Sequence, residues 1–523
     1  MRRSRDFRYA LWASIALLLC PLVGCTGVRD YFRNGYKVGP NYCPPAAPVE
    51  EHWIDATDLR VHQNEQSTCL WWTLFKDATL NRLIATAAAQ NLSLKEACYR
   101  ILQARAQLAI AQGNIFPQEQ AASGSFLRRA AVGNSSSDAA SNALRFSDRW
   151  NLGFSLAWEL DLWGRFRRAI DSADAQLGAS LADYDDVLVT LLGDVAATYV
   201  QIRTDQERIK LLDANVQVQQ DVLTFVENRL KAGFRTTDLD VAQARSNLAQ
   251  TVAAIPQLEI DMRQAVDRLC VLLGLPPQDM QSVLQTAPIP TAPPEVAVGM
   301  PADLLRRRPD VRRAERDAAA QAELIGIALA DLYPAFTISG NFGYQARNFG
   351  DLFSSQAFNG SVGPSFQWNL LNYGRIINNA RYQNARFREL VVVYQRTALQ
   401  AQQEVEDGIV KFLQAQRRWR LLDESVRAAK TARDVAFAQY EKGGVAAGGV
   451  SVVGDFNRYA VIQQTLIQQQ DLWAQAQGEI AQGLIQVYRA LGGGWELQPI
   501  PQAVPAGESP LPPEELPPAT PVP

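Results

Sequence analysis

Catalytic equipment is scarce in this 523-residue chain. It has two histidines, His52 and His62, and neither lies in a Ser-His-Asp or metal-ligand spacing. The glycine doublets at 443–449 follow no strand pattern, so they do not form a phosphate loop. No run of about twenty apolar residues occurs, and mean hydropathy is slightly negative, which excludes a polytopic helical membrane protein. Neither sign of charge dominates: 51 Lys and Arg face 54 Asp and Glu, a net of -3, and nucleic acid has no electrostatic claim as a partner. Of six cysteines, Cys43, Cys69, Cys98 and Cys270 lie beyond the N-terminal segment in no metal or redox spacing. An oxidising compartment permits a disulfide among them, the sequence assigns none, and free or buried thiols are the simpler reading. Proline is missing throughout 166–232.

Arg2, Arg3, Arg5 and Arg8 make a basic head, and Ala10 to Val23 is almost wholly apolar. A basic head, a short apolar stretch and small residues before a cleavage point define an export signal, too short to span a bilayer. Leu22-Val23-Gly24-Cys25 has the pattern of a bacterial lipobox, in which Cys25 is acylated and becomes the mature N-terminus. Cys20 competes for that role, but Leu19 before it is bulky where cleavage needs a small residue. The alternative is a plain secretory peptide with Cys25 incidental.

The body is one unit written twice. Leu152-Gly-Phe-Ser-Leu-Ala-Trp-Glu-Leu-Asp-Leu-Trp-Gly-Arg165 aligns with Val362-Gly-Pro-Ser-Phe-Gln-Trp-Asn-Leu-Leu-Asn-Tyr-Gly-Arg375. An aromatic-proline pair precedes each copy, Phe116-Pro117 and Tyr333-Pro334, and Leu273-Gly274 and Leu491-Gly492 close them.

Within each copy the period switches from helix to strand and back. Residues 78–112 and 303–331 read as helices. Trp150, Leu152, Phe154, Leu156, Trp158 and Leu160 then alternate with Asn151, Gly153, Ser155, Ala157 and Glu159. Phe358, Val362, Phe366, Trp368 and Leu370 oppose Asn359, Ser361, Gly363, Ser365, Gln367 and Asn369, and Phe336, Ile338, Phe342 and Tyr344 form another alternating run. A less regular strand is expected at 119–128. Apolar outside and small or polar inside is what a transmembrane barrel requires. A soluble sandwich fits less well, because the polar face carries Asn, Gln, Ser and Gly rather than Lys and Glu. Four strands are too few to close a barrel, so other subunits must supply the rest.

Very long helices follow. Residues 166–232 span about 100 Å as one helix. A turn at 233–237 leads into 238–273, which Pro256 is expected to interrupt. The second copy repeats the pattern with 375–442, a glycine-rich turn and 455–491. Such helices pair as antiparallel coils, and Gln217, Gln219, Gln220, Gln402 and Gln403 on their faces would tolerate water inside. The expected division is a signal at 1–24, an extended lipid-anchored arm at 25–77, repeats at 78–275 and 301–495, a linker at 276–300 and a Pro-rich tail at 496–523.

These features resemble the TolC/OprM family of outer-membrane efflux channels, in its lipoprotein (NodT-like) branch. The resemblance runs from Val38-Gly39-Pro40-Asn41-Tyr42 to Tyr488-Arg489-Ala490-Leu491-Gly492-Gly493-Gly494-Trp495. It is most specific at Leu304-Leu305-Arg306-Arg307-Arg308-Pro309-Asp310 with Ala314-Glu315 and Tyr333-Pro334. It implies an α+β membrane protein: a homotrimer whose four strands per subunit close a twelve-stranded β-barrel, continued by an antiparallel α-helical barrel through the periplasm. It also implies outer-membrane sorting with Cys25 lipidated, docking to a periplasmic adaptor (membrane fusion) protein, and an inner-membrane RND or major-facilitator transporter. The channel would be passive, with no catalysis and no cofactor beyond the lipid. A type I protein-secretion duct is the alternative within this reading. A periplasmic coiled-coil structural or adaptor protein is the alternative outside it.

The family's periplasmic aspartate ring implies a gate at the tip. Counting back from Leu491-Gly492 places that aspartate near Val461, so Asp455 matches only across a gap. Its first-copy counterparts are Asp238 and Asp240, and Arg458 could pair with a tip aspartate to hold a closed state. Three carboxylates around a narrow axis favour cations; alternatively, an aspartate opening a helix after a turn simply caps it. Gly164-Arg165 and Gly374-Arg375 mark the strand-to-helix joints, where glycine lets the backbone turn and arginine can reach a carboxylate. Arg306, Arg307, Arg308 and Asp310 read as a helix start, with a phosphate or lipid-headgroup site as the second reading.

Overall fold

The computed structural model describes residues 28–62, 69–132, 144–234, 236–442 and 456–497. Cys25 and Asp455 lie outside the described residues. In chain order the elements are α1 (Val28–Arg33), β1 (Val61–His62), α2 (Ala78–Gln90), α3 (Leu92–Gly113), β2 (Glu119–Val132), β3 (Leu144–Leu160), α4 (Arg165–Lys231) and α5 (Asp238–Leu272). They continue as α6 (Gln281–Leu284), β4 (Val296–Ala297), α7 (Leu304–Arg307), α8 (Pro309–Ala330), β5 (Ala335–Ala346), β6 (Phe358–Gln367), α9 (Arg375–Lys442) and α10 (Phe456–Ala490).

Four of the strands form one antiparallel sheet in the order β2-β3-β5-β6. Its register places Phe126 opposite Trp150, Phe154 opposite Phe342, and Tyr344 opposite Phe358, all on one face. Ring centroids there are 4.4, 5.3 and 5.7 Å apart, the cross-strand aromatic contact that stabilises a pleated surface. On the other face Asn151 donates to Ser125 Oγ at 3.1 Å, and Ser361 donates to Asn341 Oδ1 at 2.7 Å. The outer edges of β2 and β6 carry no ladder partner among the described residues. A sheet that is apolar on one face and open at both edges is stable in lipid only when closed by further strands. Among the described residues no helix is long and apolar enough to cross a membrane.

The duplication is structural as well as sequential. Trp158 Nε1 donates to the carbonyl of Ile115 at 2.9 Å, and Trp368 Nε1 donates to that of Leu332, also at 2.9 Å. Each acceptor stands two residues before its Pro. Gly164 and Gly374 both turn at φ +80°, a left-handed conformation that glycine adopts without strain.

Asp161 starts α4 by accepting from the Phe166 and Arg167 amides at 3.1 and 3.0 Å. The helix then runs 67 residues, about 100 Å, to a last turn holding Arg229 and Lys231, whose charges suit the negative end of the dipole. α9 has 68 residues. Three expected helices differ in detail. The first is divided at Asn91, whose ψ of 132° is extended and whose side chain caps Leu94. The second is divided at Arg308, because a residue before proline is driven out of the helical region. Conversely, α5 runs unbroken through Pro256. Pro256 and Val252, whose carbonyl loses its donor, are both exposed on the protomer, so water can take that carbonyl.

The arm and the linker are tied to each other and to the long helices. β1 pairs in parallel with β4, joining the two. Trp53 Nε1 donates to Gly299 O at 2.9 Å. Gln402 accepts from the Glu50 amide at 3.1 Å and donates to Pro48 O at 2.9 Å, so it holds the arm instead of facing water. Gln219 is buried. The main core gathers where α2, α3, α4, α9 and α10 meet the arm, around Trp71, Tyr199, Phe412 and Tyr488.

Candidate functional site

Two surfaces carry chemistry relevant to a duct: the inner face of the sheet and the far end of the long helices. The inner face holds Ser123, Ser125, Asn151, Ser155, Thr337, Ser339, Asn341 and Ser361 in register, and among its paired positions Leu127 alone is an apolar residue larger than alanine. Such hydroxyls and amides exchange hydrogen bonds with water at little cost, so this face can stay wet.

At the sheet-to-helix joint, Arg165 reaches Glu159 at 3.4 Å and Asp331 at 4.0 Å. A Cβ on Gly164 would come within 2.8 Å of the Lys37 backbone, so the joint is closed by the arm. Arg375, at the second joint, is exposed, and Gly374 there meets only the end of Asn378. Trp163 stacks on Tyr333 at 4.6 Å and donates to Pro334 O at 2.8 Å. Its second-copy counterpart Tyr373 is 96% exposed, as is Phe116 at 67%. Likewise α8 packs against both α4 and α9, whereas α3 packs against α4 with Tyr99 and Ile110 exposed. Tyr373, Phe116, Tyr99 and Ile110 are thus apolar surfaces that the described residues of this chain leave uncovered.

At the far end, Asp240 accepts from the Thr237 amide at 2.9 Å while Thr237 accepts from the Asp240 amide at 3.4 Å, a reciprocal cap on α5. Asp238 is exposed in the same first turn, and Arg458 is exposed in the first turn of α10. The structure does not bring Asp238, Asp240 and Arg458 into one ion-paired cluster among the described residues.

What joins the two hairpins instead is a group that the sequence reading passed over. Phe225 of α4, Phe437 and Tyr440 of α9, and Phe456 and Tyr459 of α10 form a chain of ring contacts between 5.3 and 6.3 Å. Arg229 lies 5.6, 5.4 and 5.0 Å from the ring centres of Phe225, Phe234 and Tyr440. It also donates to the carbonyls of Tyr440 and Glu441 at 2.8 and 3.1 Å, at the negative end of α9. Burial pushes the Tyr459 phenol up to about 12, against the pull of Arg433, and raises that of Tyr440. Gln243 adds a 2.9 Å hydrogen bond to Asn457 across the hairpins. The only signal in the sequence was the aromatic enrichment of 434–459, and nothing assigned Arg229 to it.

Arg308 itself fits the structural reading of the basic stretch. It is 8% exposed and donates to Asp310 at 2.9 and 2.6 Å, to Glu404 at 2.7 Å and to Ala490 O at 2.9 Å. The adjoining cavity, about 720 Å³, also exposes Asp186, Arg313 and Asp317, and burial raises both of those carboxyls. Among the described residues no group of His, Cys, Asp and Glu is placed to hold a metal ion. No disulfide joins Cys43, Cys69, Cys98 or Cys270 among the described residues.

A family model described as "Outer membrane efflux protein" matches residues 83–275 and again 300–493. The chain is 33% identical over 434 residues to the pyoverdine export outer membrane protein OpmQ of Pseudomonas putida, spanning 82% of this chain and 88% of that one. It is 30% identical over 388 residues to nodulation protein T of Rhizobium leguminosarum bv. viciae, spanning 73% and 77%. The structure of the outer-membrane channel OprN superposes with a TM-score of 0.80 at 32% identity, covering 88% of this chain and 99% of that one.

Proposed function

The chain belongs to the outer membrane efflux protein family, as the outer-membrane channel of a tripartite small-molecule export system, and from that premise we propose how it is anchored, assembled and gated. The reading rests on one observation above all. A four-stranded sheet with an apolar outer face and two open edges continues directly into helices of 67 and 68 residues. Three copies close those edges into a barrel in the outer membrane, and their helices form a tunnel in the periplasm. The protein is a conduit and not an enzyme. The repeats at 78–275 and 301–495 are the structural units, joined by the linker at 276–300.

In the trimer, Tyr373 of one subunit takes the place beside Phe116 and Pro117 of the next that Trp163 takes beside Tyr333 and Pro334 within the chain. The exposed apolar residues of α3 then meet α9 of the neighbour as α8 meets α9 here. Acylation of Cys25 holds the start of the arm at the membrane, and the arm's bonds along α4, α8 and α9 run the anchor down to the helices. The distal tip engages a periplasmic adaptor, behind which an RND or major-facilitator transporter supplies the energy. Cargo is a small molecule; the relatives named for pyoverdine export and for solvent and toluene efflux favour this over protein secretion.

Arg229 clasps the hairpin of α4 and α5 to that of α9 and α10, and opening the tip requires the hairpins to part. An Asp455 ring adds cation preference. The test is single-channel recording in planar bilayers. Arg229→Ala raises mean conductance or open time severalfold, with the thermal unfolding of the trimer little changed. Asp455→Ala lowers cation preference. Unchanged current and selectivity in both would leave Arg229 a packing residue and Asp455 a cap.

A further inference from the structure

All the charge on the inner face of the sheet is sorted to its two ends. Glu119 and Glu159 share that face at the helix end, where Arg165 pairs with Glu159. The middle carries only serine, asparagine, alanine and glycine at the inner-face positions of β2 and β3 from 121 to 125 and 151 to 157. At the opposite end the register Leu127↔Arg149 and Arg129↔Ser147 puts Arg129 and Arg149 diagonally adjacent on the same inner face. Both are exposed, and no carboxylate among the described residues pairs with either. Arg347, also exposed, follows the last residue of β5 at the same rim, beside the strand that carries Arg149.

The nearby acids among the described residues are committed elsewhere. Asp148 falls on the outer face, where Arg128 binds it at 3.2 Å and also lies 5.3 Å from the Phe146 ring centre. Asp351 accepts from Asn348 at 3.1 Å within the β5–β6 turn. Alternation thus separates an outer arginine that is neutralised from inner ones that are not. Arg129 stands ten residues from Glu119, about 33 Å along the strand. The helices leave the sheet at the acidic end, so the arginines sit at the exit.

We propose that Arg129, Arg149 and Arg347, three per subunit and nine in the trimer, form a cationic collar at the outer mouth that binds and passes anionic small molecules bearing carboxylate or phosphate groups. Guanidinium forks match those groups in shape and charge. A ring of like charge on a low-dielectric wall concentrates counter-ions and depletes co-ions. The collar opposes the cation preference assigned to the tip, so the two ends of the duct select differently. An anion released from the tunnel gains attraction as it nears the exit, while re-entry of external cations is disfavoured. The wet lumen is the source of the ligand; lipid headgroups meet the outer face, where Arg128 is already paired.

The inference rests on the trimeric duct, and the experiment separates the two. The full-length lipoprotein is reconstituted in planar bilayers at about 0.1 M KCl, where screening is moderate, and reversal potentials are read across a KCl gradient. Trisodium citrate is added on the outer side as the anionic probe. Arg129→Gln with Arg149→Gln and Arg347→Gln lowers the chloride-to-potassium permeability ratio by about threefold or more and weakens citrate block by about tenfold. Replacement of the same three by lysine keeps most of both, and Arg128→Gln, on the outer face, changes neither. Should the triple variant fail to assemble, Arg129→Gln and Arg149→Gln singly show the same direction at smaller size. Normal conductance with unchanged selectivity and block in the glutamine variants overturns the collar and leaves the duct standing. No conductance from the unaltered protein overturns the duct and the collar with it.

Discussion

Leu152→Arg prevents stable insertion into the outer membrane, whereas Asn151→Arg, one residue away, leaves inserted trimers with altered ion flow. The two positions are neighbours on a central strand with opposite outlooks. Leu152 pairs with Gly124 and Tyr344 on the aromatic face, while Asn151 pairs with Ser125 and Gln345 on the hydroxyl face. Leu152 is near the middle of β3 and hence near mid-bilayer, where a lipid-facing arginine costs about 2–4 kcal/mol. Three copies impose that cost on each trimer. Arginine at 151 instead meets water and alters only the lumen's charge. Outer-membrane fractionation and heat-modifiable trimer bands for both variants check this. Equal loss, or equal tolerance, would mean that the two faces do not differ as lipid and water do.

The second large effect is expected at Arg168, which is completely buried. Its guanidinium donates to Val38 O at 2.7 Å, Gly39 O at 3.0 Å and Glu323 Oε2 at 2.5 Å, tying the arm to α4 and α8 beneath the barrel. The site is built tightly, since a Cβ on Gly326 would lie 2.1 Å from Arg168 Cδ. Arg168→Ala strands the nearly buried Glu323 carboxylate and two arm carbonyls together, a loss of about 3–5 kcal/mol. Thermal unfolding of the detergent-purified protein falls accordingly, and limited proteolysis releases the segment before residue 60. Adding Glu323→Gln restores part of the stability but not the protection of the arm, because the carbonyls still lack a donor. A wild-type melting curve for Arg168→Ala would show that the arm is held elsewhere.

Much of the architecture was legible because it is written in periods. Alternation at 150–160 and 336–344 reads directly as strands, since each side chain faces lipid or water with no third environment to blur the pattern. The long helices were legible for the same reason, whereas β6 ends at Gln367, short of the expected Trp368 and Leu370, because its ladder partner β5 begins at Ala335, opposite Gln367. Helix breaks were harder. Asn91 ends one helix and caps the next through bonds to Leu94 and Leu272, a tertiary arrangement that propensity does not carry. Pro256 failed to break α5 because its cost falls on an exposed carbonyl. The arm was unreadable for a related cause: residues 38–60 are held by hydrogen bonds to side chains more than a hundred residues distant, such as Arg168 and Gln402, and no local pattern records that. At the tip, sequence drew attention to acidic residues, whereas the contacts among the described residues centre on Arg229 and aromatic rings. A cation–aromatic clasp has no fixed spacing, so only the folded hairpins bring it together.

Electron cryo-microscopy of the detergent-purified full-length protein addresses the central claim most directly. The prediction is a three-fold particle in which the outer edge of β2 from one subunit pairs with β6 of the next, closing a twelve-stranded barrel above a helical tunnel. A monomer with both edges unpaired, or a particle that buries Phe154 and Phe342 in a private interior, would contradict it.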